Sequence, residues 1–581
     1  MKFVKFGCSS CLVLVLAFFA FLALGMGAAK YLKAEKGESI VSINLAMPVP
    51  NLPFSANSPF LSEGKYGRLN EREIANAIAK AAYDNSVLGI LLYAEGPTQM
   101  SLAQACEIRN ALLSFRESGK KVYAAADYAD KKAYYIFSAS DEIFMDEMGE
   151  IDLSGLAFEG VFFGNAFEKY GISANVVKCG KYKDFGDMFT KSGFSPEAKA
   201  QLTNIAKSLW QNMLNAVCTA RAINRKTLEN ETANTPVFGA KEAVKLRLAD
   251  KIADKAKIKK TLFKDDEINE IPVEKYADTT PDIGAFAPNK TALVYMSGDI
   301  VSEDDPSDIF GEKSTISAKL YTSIFDEIAK DGAISAVVVR INSGGGSAQA
   351  SEQIRRSLQN LAQKKPVFVS VSSMCASGAY WISSAAHKIF AQEQSLIGSI
   401  GVFSINFGIE KLADSYGINF DTAKSGKFAD MLSPFRQSTP EENAVIQSRI
   451  DFVYDKFVNL VANSRKIDKA SAKNLATGEV WTAQTAKALK LVDASNMTLS
   501  DTIAFALQAQ EEASQIEVFP KKPSFEEFLN AFLGGATSTF LKAARPESLE
   551  QKKANALKQI KGIAPNEGIL LYTPYKLENL K

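Results

Sequence analysis

At 581 residues the chain is too long for one hydrophobic core, and its 46% hydrophobic and 23% charged residues are ordinary for a globular protein. A formal net charge of +1 removes the electrostatic basis for nucleic-acid binding, so no nucleic acid is expected as a partner. The one histidine, His387, and the six scattered cysteines (Cys8, Cys11, Cys106, Cys179, Cys218 and Cys375) form no metal-ligand pattern and no disulfide framework, so neither metal nor cofactor is expected.

The chain opens with 23 uncharged residues, Gly7 to Ala29, flanked by Lys2 and Lys5 on one side and Lys30 and Lys33 on the other. That run is long enough to cross a bilayer as a helix, and 1–33 is read as a membrane anchor. A cleaved signal peptide is the alternative, given the small residues Gly27-Ala28-Ala29. Ser39–Leu45 then reads as a strand, Glu71–Ala82 as an amphipathic helix and Val87–Tyr93 as a buried strand. A helix ending near Gly119 and a strand at Val122–Ala126 follow. Strands alternating with helices predict parallel α/β layers.

The same order then recurs. Ala292–Gly298, Ile316–Lys330, Ile334–Ile341, a helix at Ala348–Leu361 and a strand at Val367–Val371 repeat the first series. Residues from about 85–250 align with those from about 333–493, at an offset of 246 where Lys183 meets Ala429. The expected organisation is a first domain over 34–270, a linker over 271–289 rich in proline, a second domain over 290–515 and a helical tail over 516–581. In that tail Phe525, Phe528, Leu529, Phe532 and Leu533 have helical spacing.

The two copies differ where chemistry is concerned. Gly180-Lys181-Tyr182-Lys183-Asp184 faces Gly426-Lys427-Phe428-Ala429-Asp430, so Lys183 is peculiar to the first copy, while the matched Lys181 and Lys427 are assigned to the fold. Lys131-Lys132 faces Ser377-Gly378, so Ser377 is peculiar to the second. Ser377 stands at a strand-to-helix junction among small residues, where a serine can present its hydroxyl. The turn Asn342-Ser343-Gly344-Gly345-Gly346 also joins a strand to a helix, and its amides can face an oxyanion. Taken alone, each motif also fits a structural reading, as a flexible turn or as close helix packing. Cys375 is a rival nucleophile that reads better as a buried apolar residue. His387 lies ten residues beyond Ser377. On one helix that is ~15 Å, too far for proton transfer. A lysine can replace histidine if it is neutral, which requires its pKa to fall from about 10.4 by burial.

These residues resemble the signal peptide peptidase A family in its long, duplicated, membrane-anchored form. The resemblance is carried by Ala376-Ser377-Gly378-Ala379-Tyr380-Trp381, Gly398-Ser399-Ile400-Gly401 and Gly180-Lys181-Tyr182-Lys183. It implies two tandem crotonase-like (Clp-protease-like) α/β domains and a serine endopeptidase with a Ser/Lys dyad. By motif match Ser377 is the nucleophile, Lys183 the general base and Ser399 the residue that orients the lysine, with the Gly345 and Gly378 amides as oxyanion hole. It also implies cleaved signal peptides and other short peptides as substrates, a ring-like homo-oligomer (a tetramer) and a single-pass protein of the bacterial inner membrane facing the periplasm. Gly344 stands where the family has proline, and Ala379 where it often has glycine. A crotonase-type acyl-CoA enzyme and a non-catalytic membrane scaffold are the alternative functions.

Overall fold

The computed structural model describes residues 38–53, 69–262, 268–279, 287, 289–303, 314–508, 514–521 and 569–572. The expected membrane anchor and the amphipathic run at 524–540 lie outside these residues. Among the described residues no helix is long and apolar enough to cross a membrane.

The first copy builds a seven-stranded sheet. Its strands are β1 (Ser39–Asn44), β2 (Val87–Tyr93), β3 (Lys121–Ala129) and β4 (Glu142–Asp152). β5 (Ser173–Cys179) leaves this sheet, and β6 (Val237–Gly239), β7 (Lys251–Ile252) and β8 (Asn269–Pro272) complete it. The order is β6-β4-β3-β2-β1-β8, with β7 alongside β4. Its central pairings are parallel and only β6 runs antiparallel. Val87, Ile90, Leu91 and Leu92 of β2 are all buried, as a strand covered on both faces requires.

The second copy repeats the plan with β9 (Asn289–Ser297), β10 (Asp299–Val301), β11 (Thr315–Ser317), β12 (Ile334–Ser343), β13 (Gly345–Ser347) and β14 (Val367–Ala376). β15 (Lys388–Ala391), β16 (Leu396–Gly398), β17 (Val402–Gly408), β18 (Val480–Thr482) and β19 (Ser514–Phe519) follow. The second sheet runs β18-β16-β14-β12-β9-β19, matching the first strand for strand. Packing details are duplicated too. Tyr134 Oη donates to the Leu248 carbonyl at 2.8 Å, and Tyr380 Oη to the Leu491 carbonyl at 2.7 Å. Arg221 pairs with Asp250 at 2.7 Å, and Arg465 with Asp493 at 3.0 Å.

Two expectations about the connections need correction. The stretch expected as a linker from 271 holds the end of β8 and the helix Val273–Thr279. β8 pairs with β1 as β19 pairs with β9, so it closes the first sheet and the boundary at 270 falls inside a strand. The tail expected to be helical begins as strand β19 and includes a second strand, β20 (Ile569–Tyr572). Strands form there because each finds an open sheet edge, a long-range partner that local periodicity does not report.

A third sheet joins the copies, in the order β11-β10-β13-β20-β17-β5. Here β5 of the first copy runs antiparallel along β17 of the second, from Cys179 opposite Val402 to Ser173 opposite Gly408. The contact between copies also buries charge. Arg340, 2% exposed, pairs with Glu71 at 3.2 Å and Glu107 at 3.1 Å. Glu107 also accepts from the Leu499 amide at 2.6 Å, and burial pushes its carboxyl up to about 7 against the pull of Arg340.

Candidate active site

The pairing of β5 with β17 delivers the first copy's lysine to the second copy's serine. After β5 the chain turns at Gly180, and the Tyr182 amide donates to the Thr477 carbonyl at 2.8 Å. This close approach needs Gly478, whose φ is +84°. A Cβ built there would stand 2.7 Å from the Lys183 amide nitrogen. Below the arm, Phe189 packs against Phe167, Phe185 and Phe407 with ring centroids 5.2–6.0 Å apart. These aromatic contacts hold the arm's direction, and with it the lysine.

Lys183 is completely buried. Its Nζ lies 2.5 Å from Ser377 Oγ, 3.0 Å from Ser399 Oγ and 3.1 Å from the Ser399 carbonyl oxygen. Burial alone holds its amine well below the usual lysine range. The adjacent Asp184 does not offset that; it pairs with Lys178 at 3.1 Å. An acid beside Nζ would restore the charged amine; here the nearest acid in sequence is committed elsewhere.

Ser377 sits between β14 and the helix Gly378–Ser383, with φ +55° and ψ −114°. Such a conformation in a non-glycine residue is strained and is kept only where surrounding contacts fix it. One of them is the bond from its amide to the Gly398 carbonyl at 2.8 Å. Ser399, at φ +52°, shares the unusual backbone region. Gly378 lies against the glycine turn: a Cβ there would meet Gly345 Cα at 3.3 Å and Ser351 Oγ at 2.6 Å. The Gly378 amide opens a helix and so has no partner within it. The Gly345 amide donates to Ser343 Oγ at 3.1 Å.

Lys183, Ser377 and Ser399 thus meet in one buried cluster, with Gly345 and Gly378 touching beside it. Lys181 stays outside as an exposed residue 3.5 Å from Glu197. It lies over the Tyr182 ring at 5.5 Å, as Lys427 lies over Phe428 at 5.4 Å. The matched lysines therefore share a local surface contact rather than a core role. His387 accepts from the Val367 amide at 3.1 Å through Nδ1. Cys375 is buried 3.2 Å from Ser383 Oγ, and burial pushes its thiol up to about 12, so it offers no thiolate. In the first copy Lys131, at the place of Ser377, is pinned to Asp152 at 2.8 Å. Sequence reading missed the Ser343 hydroxyl on the Gly345 amide and the Thr477-Gly478 docking strip.

The family model for Peptidase family S49 matches the chain twice, over residues 114–269 and 359–513. Protease 4 of Salmonella typhi is 30% identical over 506 residues, covering 84% of this chain and 80% of the relative. Protease 4 of Haemophilus influenzae is 31% identical, covering 73% and 71%. The chloroplastic serine protease SPPA of Arabidopsis thaliana is 31% identical, covering 75% and 65%. The chain belongs to peptidase family S49 and groups with these Protease 4 and SPPA relatives. It is a serine peptidase, a hydrolase built on a duplicated mixed α/β fold.

Proposed function

We propose that Ser377 and Lys183 are the catalytic dyad of a membrane-anchored endopeptidase that degrades cleaved signal peptides and other short peptides. The observation that carries this reading is the 2.5 Å approach of a buried, acid-free lysine amine to Ser377 Oγ. A neutral amine has two N–H groups and one lone pair. The two Ser399 oxygens take the N–H groups, and the lone pair is left facing Ser377. Ser399 therefore orients the base.

Lys183 removes the Ser377 proton as Oγ attacks the scissile carbonyl carbon. The Gly345 and Gly378 amides hold the oxyanion, with the Gly345 N–H turning from Ser343 Oγ to the developing charge. The tetrahedral intermediate collapses, Lys183 gives its proton to the leaving amine, and an acyl-enzyme remains. Lys183 then deprotonates a water that hydrolyses the ester. No step draws on a metal or cofactor. Each copy is read as crotonase-like, the S49 counterpart of the Clp-protease plan. The apolar run at 7–29 anchors the protein in the bacterial inner membrane, with both copies on the periplasmic side.

The repeat also supports a homo-oligomer. In the second copy, β5 fills the groove beside helix Pro440–Arg465, where Asn175 Nδ2 donates to Asn443 Oδ1 at 2.7 Å. The matching groove of the first copy, beside helix Pro196–Arg221, is an open pocket lined by Leu156, Phe158, Phe194 and Trp210. The second copy's own arm carries Tyr416, Phe420, Phe428 and Phe435 exposed. That arm seats in the open groove of a neighbouring chain. The contact is head-to-tail and closes into a ring, read as a tetramer.

Treatment with a fluorophosphonate tests the dyad. The expected result is one phosphonyl adduct on Ser377, lost in the Lys183→Ala variant. An adduct on another residue, or equal labelling without Lys183, overturns the reading.

A further inference from the structure

Arg340 puts a buried charge where the first copy has none. It stands on β12 between Tyr295 and Ser370 in register, where the first copy has Tyr93 between Asn44 and Ala125. Its fork binds in two directions. Within the second copy Nη1 donates to Ser370 Oγ at 3.0 Å and to the Val371 carbonyl at 3.2 Å, which ties β12 to β14. Toward the first copy Nε and Nη2 donate to Glu71 Oε1 at 3.3 and 3.2 Å, and Nη2 meets Glu107 Oε1 at 3.1 Å. A polar relay runs beside it. Asn342 Nδ2 donates to Asn51 Oδ1 at 3.1 Å, and Gln104 Nε2 reaches Asn51 Oδ1 at 3.4 Å and Glu71 Oε2 at 3.3 Å. β12 ends at Ser343, which holds the Gly345 amide, and β14 ends at Ala376, next to Ser377. One guanidinium thus fastens both strands that carry the second copy's part of the site to the copy that supplies Lys183.

Arg340 serves two buried acids. With Glu107 protonated, Arg340 and Glu71 balance. With Glu107 ionised, the cluster holds an excess negative charge away from water, which is costly. Burial raises the Glu107 carboxyl to about 7 against the pull of Arg340 and the Leu499 amide, and Glu71 and Asp501 of the helix Leu499–Gln508 add to the rise. Gln392 suits either state. Its Nε2 donates to Glu107 Oε1 at 3.2 Å, and its Oε1, without a partner among the described residues, accepts from a protonated Glu107 once the amide turns over.

We propose that Arg340 is a positioning residue that holds the oxyanion turn and the nucleophile against the copy supplying the base, and that ionisation of Glu107 draws its guanidinium off β14 and misplaces Ser377. This rests on the Ser377/Lys183 reading. The ionised Glu107 competes for the N–H groups that Ser370 Oγ and the Val371 carbonyl hold in the neutral state. The rise in rate that Lys183 gives with pH is therefore blunted above neutral pH.

Turnover of a short peptide ester by full-length wild type, Glu107→Gln and Arg340→Lys from pH 6 to 9 tests this, with kcat expressed per serine labelled by a fluorophosphonate. Glu107→Gln cannot ionise, so its kcat relative to wild type should rise about threefold or more across that range, with KM little changed. Arg340→Lys keeps the charge and loses the fork, and its kcat should fall roughly fivefold or more. A Glu107→Gln to wild-type ratio that stays constant with pH, or Arg340→Lys with the kcat of wild type, overturns this proposal alone. Wild-type protein that neither labels at Ser377 nor turns over the ester overturns the dyad reading and this proposal with it.

Discussion

Lys183 Nζ and Ser377 Oγ are 2.5 Å apart in space and 194 positions apart in sequence. Each belongs to a different copy of one duplicated fold. The copy that kept the lysine has Lys131 where the serine would be, and the copy that kept the serine has Ala429 where the lysine would be. The arm that closes the gap is β5, zipped along β17.

Burying an amine without a counter-charge costs stability, and the active site carries that cost. Lys183→Met removes the base and leaves an apolar chain of similar length. Peptide turnover should fall by about a thousandfold or more, while the urea midpoint rises. The folded-state pKa of Lys183 is lowered, so the cost is present at neutral pH and disappears as pH rises toward 10.5. The stabilisation by Lys183→Met should shrink over the same range. A variant less stable than wild type at pH 7 contradicts the account.

The same lysine sets the pH dependence of the reaction. The rate should climb as Lys183 loses its proton, with a midpoint well below 10.5 because burial favours the neutral amine. Initial rates on a short ester from pH 5 to 10 measure this. A profile flat from acid to neutral is the contrary result.

Gly378 has no room for a methyl group: the added Cβ would press on Ser351 Oγ, which donates to the Ser347 carbonyl at 2.7 Å. Gly378→Ala should displace the two glycine amides and cost roughly a hundredfold in kcat. Ala379→Gly, one residue on, should cost far less. Equal kcat values for the two variants would show that the Gly378–Gly345 contact is not part of the machinery.

Glu107 links the copies through Arg340, and its folded-state pKa is raised to about 7 from 4.5. The folded state therefore holds that proton more tightly than the unfolded chain, and this group's contribution to stability falls as pH rises from 4.5 to about 7. Glu107→Gln keeps an acceptor for the Leu499 amide and cannot ionise. Its urea midpoint should decline less between pH 5 and 8 than that of wild type. Parallel slopes would contradict this.

Much of this arrangement was legible in the chain. Lys183 and Ser377 stood out because the repeat supplied an internal control at each position. Ser399 and the two glycines came from their motifs. The parts that stayed hidden depend on distant partners. β8 is four residues in a proline-bearing stretch, and it becomes a strand because β1 offers an edge. β20 becomes one because β13 and β17 offer two. Lys178, the partner of Asp184, reads in sequence as one more basic residue in a basic segment. Its effect exists only once the arm has folded.

The central claim is that one chain supplies both halves of each site. Co-assembling the Ser377→Ala chain with the Lys183→Ala chain tests it directly. If the dyad forms within a chain, every site in the mixture lacks one member, and peptide turnover stays at the level of the separate variants. Recovery of a substantial fraction of wild-type turnover would mean that serine and lysine meet across a subunit contact, and would contradict the arrangement described.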